Sequence, residues 1–140
     1  MDAGKETRNM ATLDVLTYGF ALTTDQGSFG YSTNSLLRVN NHNILIDTGP
    51  SSRRPFLVKA LKTNGLEVSD IDIVILTHMH WDHCQNTDLF TNARVLVNPT
   101  EIDYARNPNK WDLAVAAGMA ELMGKMKVDP VSEGDKIADG

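Results

Sequence analysis

The spacing of apolar and polar positions changes several times along this chain, and each change marks an element. Residues 11–19, ATLDVLTYG, mix β-branched and apolar side chains and predict a first strand. FALTTDQGSFGYSTN (20–34) has no sustained period and is rich in Gly, Ser and Thr, which predicts a loop. SLLRV (35–39), the turn NNHN and ILID (44–47) then predict strand, turn and strand. Asparagine tolerates the left-handed backbone that hairpin turns require.

After DTGPSS the period becomes helical. Pro55 suits a first turn, Phe56, Leu57, Ala60 and Leu61 recur at helical spacing, and Gly65 suits the C-terminal cap. IDIVILT (71–77) predicts a strand. Its four consecutive apolar residues, Ile73 to Leu76, call for cover on both faces. ARVLVN (93–98) predicts another strand, and Pro99 opens a short helix through about Tyr104. WDLAVAAGMAELMGKMK (111–127) predicts a longer amphipathic helix with Leu113, Ala117, Ala120 and Met123 near one side. Met119, Met123 and Met126 read as core filler. VSEGDKIADG (131–140) resembles the approach to one more strand, and the polar residues 1–10 predict a frayed terminus. Strands and helices in this order indicate an α/β or α+β layered fold, with residues 1–140 in a single domain.

Composition narrows the function classes. Apolar residues make up 41% and charged residues 22% of 140 residues, the balance of a soluble globular domain. A net charge of −5 provides no electrostatic footprint for nucleic acid or an anionic membrane. No apolar run approaches the ~20 residues of a membrane span. The start, MDAGKETRNM, lacks the apolar core of a secretory signal. The single cysteine, Cys84, excludes an intrachain disulfide framework and fits a reducing compartment, so the expected location is cytoplasmic.

The candidate chemistry lies directly behind the apolar run, in THMHWDHC (77–84), which holds three of the chain's four histidines. Neutral imidazole binds metal, and carboxylate is its natural companion ligand. On extended backbone, side chains two apart point the same way, so His78 and His80 can grip one ion. Asp82 and His83 are adjacent and are expected to diverge toward a neighbouring ion. The bland alternative is a polar loop with no metal, but three imidazoles and a carboxylate at ligand spacing argue against it. His42, in the NNHN turn, reads as a solvated turn residue. Asp47 could be no more than a turn residue after a strand. Trp81 could line a pocket mouth or pack beneath the loop.

THMHWDHC resembles the HxHxDH motif of the metallo-β-lactamase-fold hydrolases. ILIDTGP, about thirty residues upstream, resembles their second signature, a strand ending in Asp-Thr-Gly. The resemblance implies an αββα sandwich of two mixed sheets with helices outside. It implies two divalent metal ions, zinc ahead of iron or manganese, with His78 and His80 on the first and Asp82 and His83 on the second. It places Asp47 behind the ligands, hydrogen-bonding their loop from below, and lets Gly49 make the close turn. Asp82 would also orient the nucleophile, a catalytic role. It puts no ligand at Cys84, so a small buried residue is expected there. The family completes its site with a third histidine, a bridging carboxylate and a final histidine, yet no histidine follows His83. The chain therefore reads as the N-terminal half of such a domain. A missing C-terminal half or a self-associating partner chain is expected to cover its apolar surface.

The implied activity is hydrolysis of a small ester, thioester or lactone by a metal-bound hydroxide, with the isolated 140 residues inactive. The alternatives are iron-dependent oxygen or sulfur chemistry, a nuclease or phosphodiesterase, and a non-catalytic metal-binding module. Flavodiiron oxidoreductases carry glutamate where this chain has His80, which counts against the first. The acidic balance and the absence of a basic cluster count against nucleic acid.

Overall fold

The structure, a computed structural model, describes residues 10–138. Eight strands and four helices run in the order β1 (Thr12–Thr17), β2 (Thr23–Thr24), β3 (Gly27–Ser28), β4 (Asn34–Val39), β5 (His42–Ile46), α1 (Arg54–Thr63), β6 (Ile73–Ile75), α2 (Trp81–Cys84), β7 (Arg94–Val97), α3 (Pro99–Arg106), α4 (Met119–Met123) and β8 (Val128–Pro130). Six of the strands form one mixed sheet in the order β1-β4-β5-β6-β7-β8, while β2 and β3 form a separate two-stranded ribbon. The pairs β1–β4 and β4–β5 are antiparallel, and β5–β6, β6–β7 and β7–β8 are parallel.

Strand alternation gives this sheet two different apolar faces. One carries Leu36, Leu45, Val74 and Val95, which are in register across β4 to β7 and fully buried. All four helices pack on this side, with Leu57 and Leu61 from α1, Cys84 from α2, Met119, Ala120 and Met123 from α4, and Ile102 and Ala105 of α3 at the margin. The other face carries Leu13, Leu37, Ile44, Ile73, Ile75 and Leu96. Its cover is thin: Val131, Ile137 and Ala138 cross over Val39, Ile44, Ile73 and Leu96, while Leu13 stays 63% exposed and Val15 40%.

Helix α1 stops as its sequence dictates. Asn64 caps it, Gly65 takes φ +76°, the Gly65 amide donates to the Lys62 carbonyl at 3.0 Å, and the Leu66 amide donates to Leu61 at 3.0 Å. This is the paired-bond C-terminal motif that favours glycine. At the sheet edge, Arg38 ties the helix to β1 by donating to the Asp14 carboxylate at 2.5 Å and to the Asn64 carbonyl at 2.9 Å.

Four sequence expectations are corrected. The strand read over 71–77 is only Ile73–Ile75; Leu76 still donates its amide to the Leu96 carbonyl at 2.9 Å, and from Thr77 the chain turns away toward the histidines. The loop read over 20–34 contains the β2–β3 ribbon. The helix expected over 111–127 is confined to Met119–Met123. Leu113, placed on its apolar side by period alone, is 89% exposed, Trp111 is 79% exposed, and Gly118 enters α4 in the left-handed conformation at φ +76°. Strand β8, at Val128–Pro130, has no counterpart in the sequence reading, and residues 131–138, read as the approach to one more strand, form turns and coil. Expectations for residues 1–9 and 139–140 lie outside the described residues.

Candidate metal centre

Two loops meet at the C-terminal ends of the parallel strands. The first follows β5 and contains Asp47, Thr48 and Gly49, all buried. Asp47 and Gly49 both have positive φ, +56° and +73°. A Cβ on Gly49 would stand 3.0 Å from Asn34 Oδ1, so glycine suits this position on both counts. The second loop follows β6 and carries the histidines. The two are locked backbone to backbone, since the Thr48 and Gly49 amides both donate to the His83 carbonyl, at 2.7 and 3.2 Å.

Asp47 is 4% exposed and organises this junction. Its Oδ1 accepts from the Thr77 amide at 2.9 Å, its Oδ2 accepts from the Thr77 hydroxyl at 2.8 Å, and Oδ2 lies 2.7 Å from His83 Nδ1. Asp47 therefore sits beneath the histidine loop and orients it, more than a turn residue would.

The His78 ring lies 4.6 Å from that of His80 and 4.0 Å from that of His83, centroid to centroid. Each ring has one nitrogen engaged by a neighbour. His78 Nδ1 is 3.1 Å from the Thr77 hydroxyl, His80 Nε2 is 3.3 Å from Asp112 Oδ2, and His83 Nδ1 faces Asp47. Asp82 Oδ2 stands 3.6 Å from His83 Nε2. Asp82 and His83 thus do not diverge as expected; one turn of α2 sets them side by side, with His83 turned into the histidine cluster.

A family model of the metallo-beta-lactamase superfamily matches residues 27–139, most of the chain. The chain belongs to the metallo-beta-lactamase superfamily. Among relatives, a probable metallo-hydrolase of Methanocaldococcus jannaschii is 33% identical over 108 residues, covering 75% of this chain and 51% of that protein. Two solved structures share the fold. A Thermotoga maritima protein, a metallo-beta-lactamase candidate, superposes with a TM-score of 0.70 at 22% identity, covering 91% of this chain and 62% of the other. A subclass B3 metallo-beta-lactamase of Bradyrhizobium japonicum superposes at 0.61 with 21% identity, covering 93% and 48%. The chain spans about half the length of the first relative it matches.

The metals of a metallo-beta-lactamase centre suit the donor chemistry here. Imidazole and carboxylate are borderline-to-hard ligands, and among the described residues one nitrogen of each ring makes no hydrogen bond, that of His83 facing Asp82 at 3.6 Å, while the other is held from behind, the support that metal-binding histidines need. The donors are neighbours without yet converging: among the described residues no three His, Cys, Asp or Glu side chains already surround a metal-sized space. Burial, followed by the nearby His83 and His80, lowers the pKa of His78 and favours its neutral, ligating form. Burial also works against charge on His83, but the hydrogen bond and charge of Asp47, with Asp82 beside it, outweigh burial and raise its pKa. Cys84, expected small and buried, is fully buried, and burial pushes its thiol up to about 12. His42 opens β5 with an exposed side chain, far in sequence from the cluster.

Several residues around the centre had no motif to announce them. The Ser32 hydroxyl donates to the Asp82 carbonyl at 2.6 Å. Asn86, fully buried, donates to the carbonyls of Thr48 and Pro50 at 2.9 and 2.8 Å and accepts from Arg54 Nε at 3.0 Å. Glu101 of α3 accepts from the Met79 amide at 3.2 Å. Asp112 accepts from the Tyr104 hydroxyl at 2.9 Å, and that bond holds its carboxyl below the usual range. An asparagine three residues past His83 and an N-terminal acid in α3 are the only hints available; Asp112 has none. An open cleft of about 450 Å³ lies beside Asp82 and His83, walled by Phe20, Leu22 and Tyr31. Trp81 packs one side against the helix-face core and lines a second cleft with Trp111 and Asp112.

Proposed function

We propose that this chain supplies half of the active site of a metal-dependent hydrolase acting on a small ester, thioester or lactone in the cytoplasm. The observation that carries this reading is the His78 ring at the strand ends, 4.6 Å from that of His80 and 4.0 Å from that of His83, each ring with one nitrogen braced. His78, His80, Asp82 and His83 would hold two divalent ions, zinc first among candidates. Bound there, such ions would supply Lewis acidity and lower the pKa of water to about 7.

The chain's own residues do the rest. Asp47 holds His83 by Nδ1 and so presents Nε2 toward Asp82. Asp82, whose backbone carbonyl accepts from the Ser32 hydroxyl, would orient the attacking water. The adjoining cleft lies in the range of small-molecule sites, and its Phe20, Leu22 and Tyr31 walls suit an acyl or lactone body better than a nucleic acid backbone. The net charge of −5 supports the same preference.

Metal analysis of the purified full-length protein, with ester, thioester and lactone substrates, tests this. Bound metal and turnover are expected together. His80→Ala should lower both, with turnover falling more than ~100-fold, the upper range for loss of a mere supporting residue. Absence of metal and turnover in the wild type, or an unchanged His80→Ala protein, would overturn the reading.

A further inference from the structure

We propose that Asp112 is a positioning residue for His80, holding Nε2 of that ring so that Nδ1 is the nitrogen offered to metal. This rests on the proposed metal centre but concerns residues outside its motif.

The segment around Asp112 is not helical; it pairs with the histidine loop. The Trp81 amide donates to the Ala114 carbonyl at 2.7 Å, the Ala116 amide donates to the Met79 carbonyl at 3.4 Å, and His80 and Val115 form an antiparallel bridge. Asp112 stands at the start of this strap, and its carboxylate is used on both sides. Oδ1 accepts from the Ala114 amide at 3.1 Å. Oδ2 accepts from the Tyr104 hydroxyl at 2.9 Å and lies 3.3 Å from His80 Nε2. An ionised carboxylate only accepts hydrogen bonds. Facing Oδ2, His80 must carry its proton on Nε2, and Nδ1 keeps a lone pair. No hydrogen bond from the described residues occupies that nitrogen. His78 is held by Nδ1 instead, through Thr77, so the two neighbouring rings offer opposite nitrogens. A carboxylate behind a histidine is the arrangement that fixes tautomer and ring direction in metal sites. Tyr104, from the last turns of α3, is the third member, and its hydroxyl keeps Oδ2 from turning away.

Asp112→Asn separates positioning from scaffolding. The amide is nearly isosteric, and its oxygen can still serve the Ala114 amide. Its NH2 group then faces His80 and Tyr104, where the carboxylate presented an acceptor. That donor favours the His80 tautomer with hydrogen on Nδ1, which blocks the ligating position. The full-length protein is labelled with 15N, and the ring nitrogens of His80 are read by long-range proton–nitrogen correlation, metal-free and after zinc addition. Zinc affinity is measured alongside by chelator competition. Wild type is expected to carry hydrogen on Nε2 in both states. Asp112→Asn should gain the Nδ1–H form and bind zinc ~10–100-fold more weakly, with its melting temperature kept. Tyr104→Phe should shift both readouts in the same direction by less. An unchanged His80 tautomer and zinc affinity in Asp112→Asn would overturn the proposal. Wild-type protein that binds no zinc would instead overturn the metal centre, while the metal-free tautomer still decides what Asp112 does.

Discussion

At the scale of single residues, the candidate centre depends on Asp47. Its carboxylate serves the Thr77 amide, the Thr77 hydroxyl and His83 Nδ1 from a position 4% exposed. Asp47→Asn keeps the shape but must put an NH2 group against one of these donors. The expected outcome is a ~10–100-fold loss of zinc affinity with the fold retained, checked by competition titration beside circular dichroism. Wild-type affinity would reduce Asp47 to a turn residue. Asp47 was legible because it ends a strand in DTG. Asp112 was not, since an aspartate in a seventeen-residue stretch of helical period looks like a solvated surface position.

At the scale of elements, strands and α1 followed local rules and the region 107–127 did not. In α1, alternation of Leu57 and Leu61 with polar residues and the Gly65 stop agreed with the packing. Gly65→Ala places a Cβ at φ +76° with nothing within 4 Å to clash, so the cost is backbone strain alone. The expected loss is about 1 kcal/mol, read from urea unfolding, with zinc affinity unchanged. A neutral result would show that another cap takes over. Around Trp111 the period was misleading because the Trp81 amide and Met79 carbonyl take backbone partners at Ala114 and Ala116, and bonds of that kind belong to extended chain. Where a segment's backbone groups are claimed by a distant loop, helical spacing of side chains cannot decide its conformation.

For the whole molecule, the contrast between the sheet faces matters most. One is sealed by four helices; the other leaves Leu13 and Val15 exposed and, among the described residues, is crossed only near Val131 to Ala138. The polypeptide of residues 1–140 by itself is therefore expected to associate through this second face and to show negligible hydrolysis. The β8 edge contributes less, because Pro130 removes a donor there. Light scattering of the purified 1–140 polypeptide checks this, together with a Leu13→Lys, Val15→Lys double variant, which should be more nearly monodisperse at unchanged helix content. A monodisperse, active 1–140 monomer would refute the half-site reading.

The sequence by itself determined the order of most elements, the termination of α1 and the gathering of histidines at a strand end. These are local matters: the direction of neighbouring side chains, the φ angle a glycine accepts, the spacing of ligands within eight residues. Tertiary structure alone decided that His83 turns into the cluster beside His78, that residues 112–116 form a strap and not a helix, and that Glu101 and Asp112, the latter bonded by Tyr104, reach the histidine loop. Each of those depends on a hydrogen bond or ring contact set by which loops the parallel strands deliver to the same end of the sheet, and no spacing along the chain encodes that meeting.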